Sequence, residues 1–253
     1  VATRSPTMPH IRAAAARAAT SRLAARLTVR QPGRLAARLP GRLAVRAALA
    51  VTALACSLAP IGPIGAAQAK PLDERPAAAL AARAAQVARW LDAARGLPPR
   101  ERLEAVDRDL VEVAARVARH LDVDPVPLVS AWRRAPLQRQ LVVFAALSQL
   151  GVPYRLNADE PGSALDCSAL TKYAWAWGDL ALARGSAAQA AAATRVAPDD
   201  VQPGDLGWYP GHVFMSLGVE RVIVQARSGD RGVEVHLVDE DRADWVRWYD
   251  PTR

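Results

Sequence analysis

Beyond residue 76 the apolar positions recur at helical intervals. Leu80, Ala84, Val87, Leu91 and Ala94 follow 4-3-4-3 spacing, and Leu103, Val106, Leu110, Val113 and Val117 follow 3-4-3-4. Each series lines one face of a 3.6-residue helix, which predicts helices over about 77–95 and 100–121, each with one apolar seam. Gly96-Leu97-Pro98-Pro99 between them cannot continue a helix, so the two are expected to pair as an antiparallel hairpin. Pro125 and Pro127 open a third, short helix containing Leu128, Val129 and Trp132. A fourth, over about 137–150, carries Leu137, Leu141, Phe144 and Leu147 and stops at Gly151. Another is expected to begin near Cys167 after an acidic Gly/Pro loop. Past residue 200 the pattern becomes that of strands, predicted at about 206–209, 212–217, 221–226, 232–238 and 245–249, with Gly218 and segment 228–232 as turns. Helices followed by a run of short antiparallel strands imply an α+β domain.

Charge divides the chain differently. The formal net charge is +8, yet residues 1–69 hold ten arginines and no acid. The remainder sets 23 basic residues against 25 acidic ones, a net of −2. A near-neutral body makes nucleic-acid binding unlikely to be its function, and a basic leader reads as a targeting signal. Arg42 and Arg46 precede an apolar run from Ala47 to Ala59, followed by the helix breakers Pro60, Gly62, Pro63 and Gly65. Ala67-Gln68-Ala69 supplies small residues for a signal peptidase, with the cut expected after Ala69. The run is shorter than the roughly 20 residues that span a bilayer, so no transmembrane helix is expected in the mature form. An Ala-rich helix of a globular domain, or a lipoprotein signal acylated at Cys56, are the competing readings. The expected organisation is thus a leader and signal peptide at 1–69, a linker (70–76) and helical hairpin within 70–135, and a second domain at 136–253. The hairpin could dock on that domain, cover its cleft or bind a partner protein. His120, at the end of its second helix, complements the helix dipole or is solvated.

If Cys56 leaves with the signal, Cys167 remains as a lone thiol that can form no internal disulfide. Asp166-Cys167-Ser168 opens a helix, where unpaired N–H groups and the dipole favour thiolate. Gly211-His212-Val213 begins a strand 45 residues later and offers an imidazole that can take the thiol proton and return it to a leaving amine. Gln225, near the end of the following strand, can orient that ring through its amide. These spacings alone leave Cys167 open as a small core residue. They also leave His236 open as a rival base or as one face of a strand. Tyr173, Trp175 and Trp177 could stack on sugar or peptide, but helical spacing turns at least one inward, and Trp177 is assigned to the core. There is no phosphate-binding Gly loop and no spaced His/Cys/carboxylate metal motif.

From about Leu137 to Tyr249 the chain resembles the NlpC/P60 family, papain-like endopeptidases of peptidoglycan. Five phrases carry the resemblance in order: Ala-Leu-Ser-Gln-Leu-Gly-Val-Pro-Tyr-Arg (146–155), Asp-Cys-Ser-Ala-Leu (166–170), Arg-Gly-Ser-Ala-Ala-Gln (184–189), Gln-Pro-Gly-Asp-Leu (202–206) and Gly-His-Val (211–213). The resemblance implies a papain-like α+β domain in which Cys167 is nucleophile, His212 base and Gln225 the third polar residue. It implies that Tyr154 lines the cleft beside the oxyanion site. Asp166, Ser168, Arg184 and Ser186 would shape substrate recognition, Asp166 by pairing with a free amine of the stem peptide. Departures are Leu156-Asn157-Ala158 in place of Trp-Gly-Gly, Ala169 in place of Gly, and Phe214-Met215-Ser216 in place of Gly-Ile-Tyr. The His212–Gln225 segment is also one residue longer than is usual in the family. These positions are expected to line the cleft, with Phe214 narrowing it unless its ring points into the core. The implied function is a secreted, cell-wall-associated cysteine endopeptidase. It would cut the D-γ-glutamyl–diamino acid bond of peptidoglycan stem peptides through an acyl-thioester. Neither a metal nor an organic cofactor is implied. The rivals are another thiol amidase or transpeptidase on the same scaffold, and a non-catalytic wall-binding module.

Overall fold

The computed structural model describes residues 74–253. The leader, the cut after Ala69, Cys56 and the first part of the linker lie outside the described residues. Four helices come first: α1 (Glu74–Ala93), α2 (Pro99–Leu121), α3 (Pro125–Arg134) and α4 (Leu137–Leu147). Helix α1 begins three residues earlier than the expected start at 77, inside the expected linker; Pro76 is tolerated there because first-turn N–H groups have no intrahelical partner. The stripe Leu80, Ala84, Val87, Leu91 and Ala94 is buried, as are Val106, Leu110, Val113 and Val117 of α2. α1 packs on both α2 and α4, α2 reaches the sheet, and α3 packs on it. The indole of Trp132 fixes α3, donating from Nε1 to the Leu217 carbonyl at 2.8 Å and meeting Phe144 edge-on at 5.2 Å.

A two-strand ribbon, β1 (Asp159–Glu160) and β2 (Ala164–Leu165), leads into α5 (Cys167–Trp177). Then come α6 (Ser186–Ala192), β3 (Thr194–Val196), β4 (Leu206–Tyr209), β5 (His212–Val219), β6 (Val222–Arg227), β7 (Gly232–Leu237), α7 (Glu240–Ala243) and β8 (Arg247–Asp250). The six later strands form one antiparallel sheet in the order β3-β8-β4-β5-β6-β7. The expected α+β architecture with a preceding helical region is what the structure shows. Val213, Met215, Leu217, Val222, Val224, Ala226, Val233 and Val235 join the helices in the main core. Strand alternation sends Phe214 and Ile223 to the other face, where they pack with Val238 and Val246.

Three expectations are corrected. Gly218 is not a turn: β5 continues to Val219, and the register with β6 shifts between Ser216 and Val219. Gly218, at φ 83°, lies in this bulge, where a Cβ would come within 2.4 Å of the Pro203 ring. The bulge is where extra length between His212 and Gln225 can be taken up while the ladder at Met215–Val224 stays regular. Helix α4 stops at Leu147 rather than 150, passing into a turn. Trp175, not Trp177, is the core indole: it is fully buried, donates from Nε1 to Gly204 O at 3.1 Å and lies under the Arg139 guanidinium, whereas Trp177 is half-buried.

Arg139 ties α4 to the sheet. It pairs with Asp205 and Asp250 at 2.7 Å each, all three buried, and donates to Pro203 O at 2.9 Å. Among the described residues, no helix is long and apolar enough to cross a membrane.

Candidate active site

Cys167 is the first residue of α5, and Asp166 is the N-cap, its Oδ1 accepting the Ala169 N–H at 2.8 Å. Cys167 is buried, 8 % exposed. Backbone N–H groups of Val213, Ser168 and Cys167 itself point toward the sulfur. Val213 directly follows His212, so the start of α5 and the start of β5 meet at this thiol. The expected bias to thiolate does not hold. Burial pushes the thiol up, the Asp166 charge adds to that, and the three N–H groups offset only part of it. At neutral pH the resting group is a thiol.

His212 supplies a neutral imidazole. Burial lowers its pKa, opposed by the hydrogen bond to Gln225, while Arg227 lowers it further. Its Nε2 lies 3.0 Å from Gln225 Oε1. Gln225 would continue the β5–β6 ladder opposite Phe214, which puts it on the same face as His212 and diagonal to it. The ring is flanked by Tyr209, 5.3 Å between centroids, and by Phe214 at 5.8 Å. Phe214 points into the second apolar cluster, edge-on to Trp248 at 5.7 Å. It backs the imidazole and does not narrow the cleft. Ala169, fully buried in the main core, does not line the cleft either. Of the departures, Leu156 and Asn157 are exposed, Leu156 at 72 %. Asn157 stands at φ 63°, a left-handed conformation that asparagine tolerates better than most residues, and its N–H donates to Asp166 Oδ2 at 3.1 Å.

Asp166 is saturated from within the protein. Arg184 grips it with Nη1 to Oδ1 at 3.0 Å and Nη2 to Oδ2 at 2.7 Å, and the Ser168 hydroxyl donates to Oδ1 at 3.1 Å. Burial pushes this carboxyl up, but Arg184, the Ala169 amide and the Ser168 hydroxyl outweigh it and hold it below the usual range. The same guanidinium donates to Ser168 Oγ and to Ala158 O. Five donors therefore already occupy the carboxylate that was expected to receive a substrate amine. Tyr154 pairs with Leu165 beside the site, its hydroxyl held up by burial and by the proximity of Cys167 and Asp166. A groove of about 870 Å³ runs from Tyr154 to Ala77, Ala78 and Ala81 of α1 and to the 229–232 turn. Ser186 opens α6 and is half-buried. His236 is buried on β7, opposite Ile223, with Nδ1 unpartnered; it is the residue after His212, Val213, whose backbone meets the thiol.

Two residues at the site were not anticipated. Gln189 donates to Ser168 O and Ala183 O and accepts from Thr171, locking α6 onto the first turn of α5. Glu234 accepts from Gln225 Nε2 at 3.0 Å. The Arg-Gly-Ser-Ala-Ala-Gln phrase held the first signal; the second needed the strand register. Among the described residues no group of three or more His, Cys, Asp or Glu could hold a metal ion.

The NlpC/P60 family model matches residues 151–247, which include all of the thiol, imidazole and amide just described. This segment is similar to NlpC/P60 domains. A probable endopeptidase of Corynebacterium glutamicum is 36 % identical over 103 residues, covering 40 % of this chain and 48 % of that protein. The dipeptidyl-peptidase 6 of Lysinibacillus sphaericus is 33 % identical over 103 residues, 40 % of this chain and 37 % of that protein. The chain thus spans less than half the length of either relative. The solved P60 domain of an antigen from M. avium subspecies paratuberculosis is 25 % identical, with a TM-score of 0.40, over 46 % of this chain and 96 % of that one. The matched segment begins at Gly151, so α1 to α4 precede it and pack onto it.

Proposed function

We propose that the chain is a cysteine endopeptidase acting on peptidoglycan stem peptides outside the cell membrane. The supporting observation is the junction at Val213: its N–H points at the Cys167 sulfur, and the adjacent His212 is neutral and held through Nε2. His212 takes the thiol proton on Nδ1, and the sulfur attacks the carbonyl of the scissile amide. The Cys167 N–H and Tyr154 stabilise the oxyanion. The imidazolium returns its proton to the leaving amine, releasing it and leaving an acyl-thioester. Water, deprotonated by His212, adds to the thioester and expels the thiol. Gln225 orients the ring throughout.

The family resemblance supports a substrate with a D-γ-glutamyl–diamino acid bond. Tyr154, Asp166, Ser168, Arg184 and Ser186 border the binding cleft in this reading. Because Asp166 is already gripped by Arg184, it acts as part of a rigid wall. The arginine-rich leader, cut after Ala69, supports export to the wall. Incubation with purified stem peptides, followed by mass spectrometry, tests the proposal. A new amine that disappears with Cys167→Ala is the expected result. Binding without turnover, unchanged by that substitution, would sink it.

A further inference from the structure

Gln225 has two polar neighbours, and they make unequal demands. On one side His212 Nε2 lies 3.0 Å from the amide oxygen. On the other, the amide nitrogen donates to Glu234 Oε1 at 3.0 Å. Glu234 stands directly opposite Gln225 on β7 and is 4 % exposed. Its second oxygen accepts Arg231 Nε at 2.8 Å. A guanidinium can only donate and an ionised carboxylate can only accept, so the direction of every bond in the row is set from the arginine inward. Glu234 must take a hydrogen from the Gln225 NH2. The amide oxygen is then left facing His212. That oxygen can only accept, so the ring hydrogen sits on Nε2 and the lone pair on Nδ1.

We infer that Glu234, held by Arg231, is a positioning residue that sets the His212 tautomer through the Gln225 amide. Gln225 cannot do this alone, because the two ends of an amide are nearly the same size and either can be presented. A carboxylate facing the imidazole directly needs no such guide. Here the carboxylate stands one residue further back. His120 of α2 and His236 of β7 lie within electrostatic reach of the same carboxylate, so the helical hairpin borders this row as well. The inference rests on His212 being the base, since the position of the lone pair matters only if a proton is to arrive there.

Glu234→Gln keeps the shape and reverses the row. The new amide must turn its oxygen to Arg231 and its NH2 to Gln225. Gln225 must then flip, and its NH2 faces His212 Nε2, leaving the ring hydrogen on Nδ1. Nitrogen-15 NMR of the full chain with labelled histidine reads the tautomer directly, the His212 signals being assigned by their loss in His212→Ala. The expected result is Nε2–H in the parent and Nδ1–H in Glu234→Gln. Stem-peptide turnover should fall on the order of 1,000-fold in kcat, with KM within about twofold. The double variant Gln225→Glu/Glu234→Gln returns a carboxylate to the imidazole, and both the Nε2–H tautomer and most of the turnover should return. A purely structural role would lower thermal stability without moving the tautomer. An unchanged tautomer and kcat in Glu234→Gln, with Cys167-dependent cleavage intact, overturns the inference and leaves the peptidase reading standing. A reversed tautomer in a protein whose parent cleaves no stem peptide does the opposite. If the single variant does not fold, the double variant decides: retained turnover supports the row, and lost turnover in a folded protein overturns it.

Discussion

Cys167 is buried and His212 half-buried, and both resist charge. Burial raises Cys167 above its ordinary 9.0 and lowers His212 below its ordinary 6.5. At neutral pH both are uncharged, and the proposed reaction requires His212 to be able to accept a proton. Acidification removes that ability only once the pH passes the lowered value of His212. The acidic limb of kcat/KM is therefore expected at a midpoint below 6.5. A pH profile against stem peptide checks this, and a midpoint above 6.5 contradicts it. In His212→Ala, the pH–rate profile for alkylation of Cys167 by iodoacetamide should have its midpoint above pH 9.0. The residue types of this pair were legible in the sequence, because a thiol at a helix start and a histidine at a strand start are local features. Their charge states were not. A helix start supplies N–H donors whatever surrounds it, but the opposing burial and the Asp166 charge come from packing that only the fold assembles. Asp166 shows the same limit: its place beside Cys167 is in the sequence, while its capture by Arg184, 18 residues away, is not.

At the scale of elements, the imidazole is held by a strand pair that depends on one missing side chain. Gly207 of β4 lies opposite Phe214 of β5. A Cβ on Gly207 would stand 2.1 Å from Phe214 Cε2, so the ring lies directly over the glycine backbone. Gly207→Ala must displace Phe214, which packs on both Trp248 and the His212 ring. A cost of about 1–3 kcal/mol is expected, together with reduced kcat. Denaturant unfolding reads the first and steady-state kinetics the second; an unchanged midpoint and rate would show that the ring is not wedged. The strands themselves were legible: four of five predicted strands begin within one residue of the observed ones, because alternating buried faces leave a period of two. The elements that escaped are β1, β2, β3, α6 and the single-turn α7. Strands of two or three residues are too short to show a period, and α6, Ser-Ala-Ala-Gln-Ala-Ala-Ala, has no large apolar residue to mark a face. Glu234 was missed for a related reason. Its side of β7 follows from alternation, but its partner follows from which residue lies across the ladder, and register is a property of two strands together.

At the scale of the described molecule, the question is what the helical hairpin does for the domain that follows it. Its apolar seam is not a free surface. Leu80, Ala84, Val87 and Leu91 are buried in the same cluster as Leu141, Phe144 and Leu147 of α4, and Leu128 and Trp132 of α3 join it. Trp132 also satisfies the Leu217 carbonyl in β5, the strand that begins at His212. Removing residues 74–135 would expose the α4 face to water and strip the carbonyl of its donor, two named routes to large destabilisation. It would also delete Ala77, Ala78 and Ala81 from the wall of the groove beside Tyr154. A hairpin that merely masked a finished cleft would leave an active remainder when cut away. A hairpin that completes the core leaves a remainder that cannot hold the Cys167–His212 junction. The second outcome is expected: residues 136–253 alone should aggregate or show no cooperative unfolding, and should not cleave stem peptide. Circular dichroism during thermal unfolding, with a turnover assay on the same samples, separates the two. Higher activity in the folded fragment than in the full chain would make the hairpin a cover and not a part of the domain.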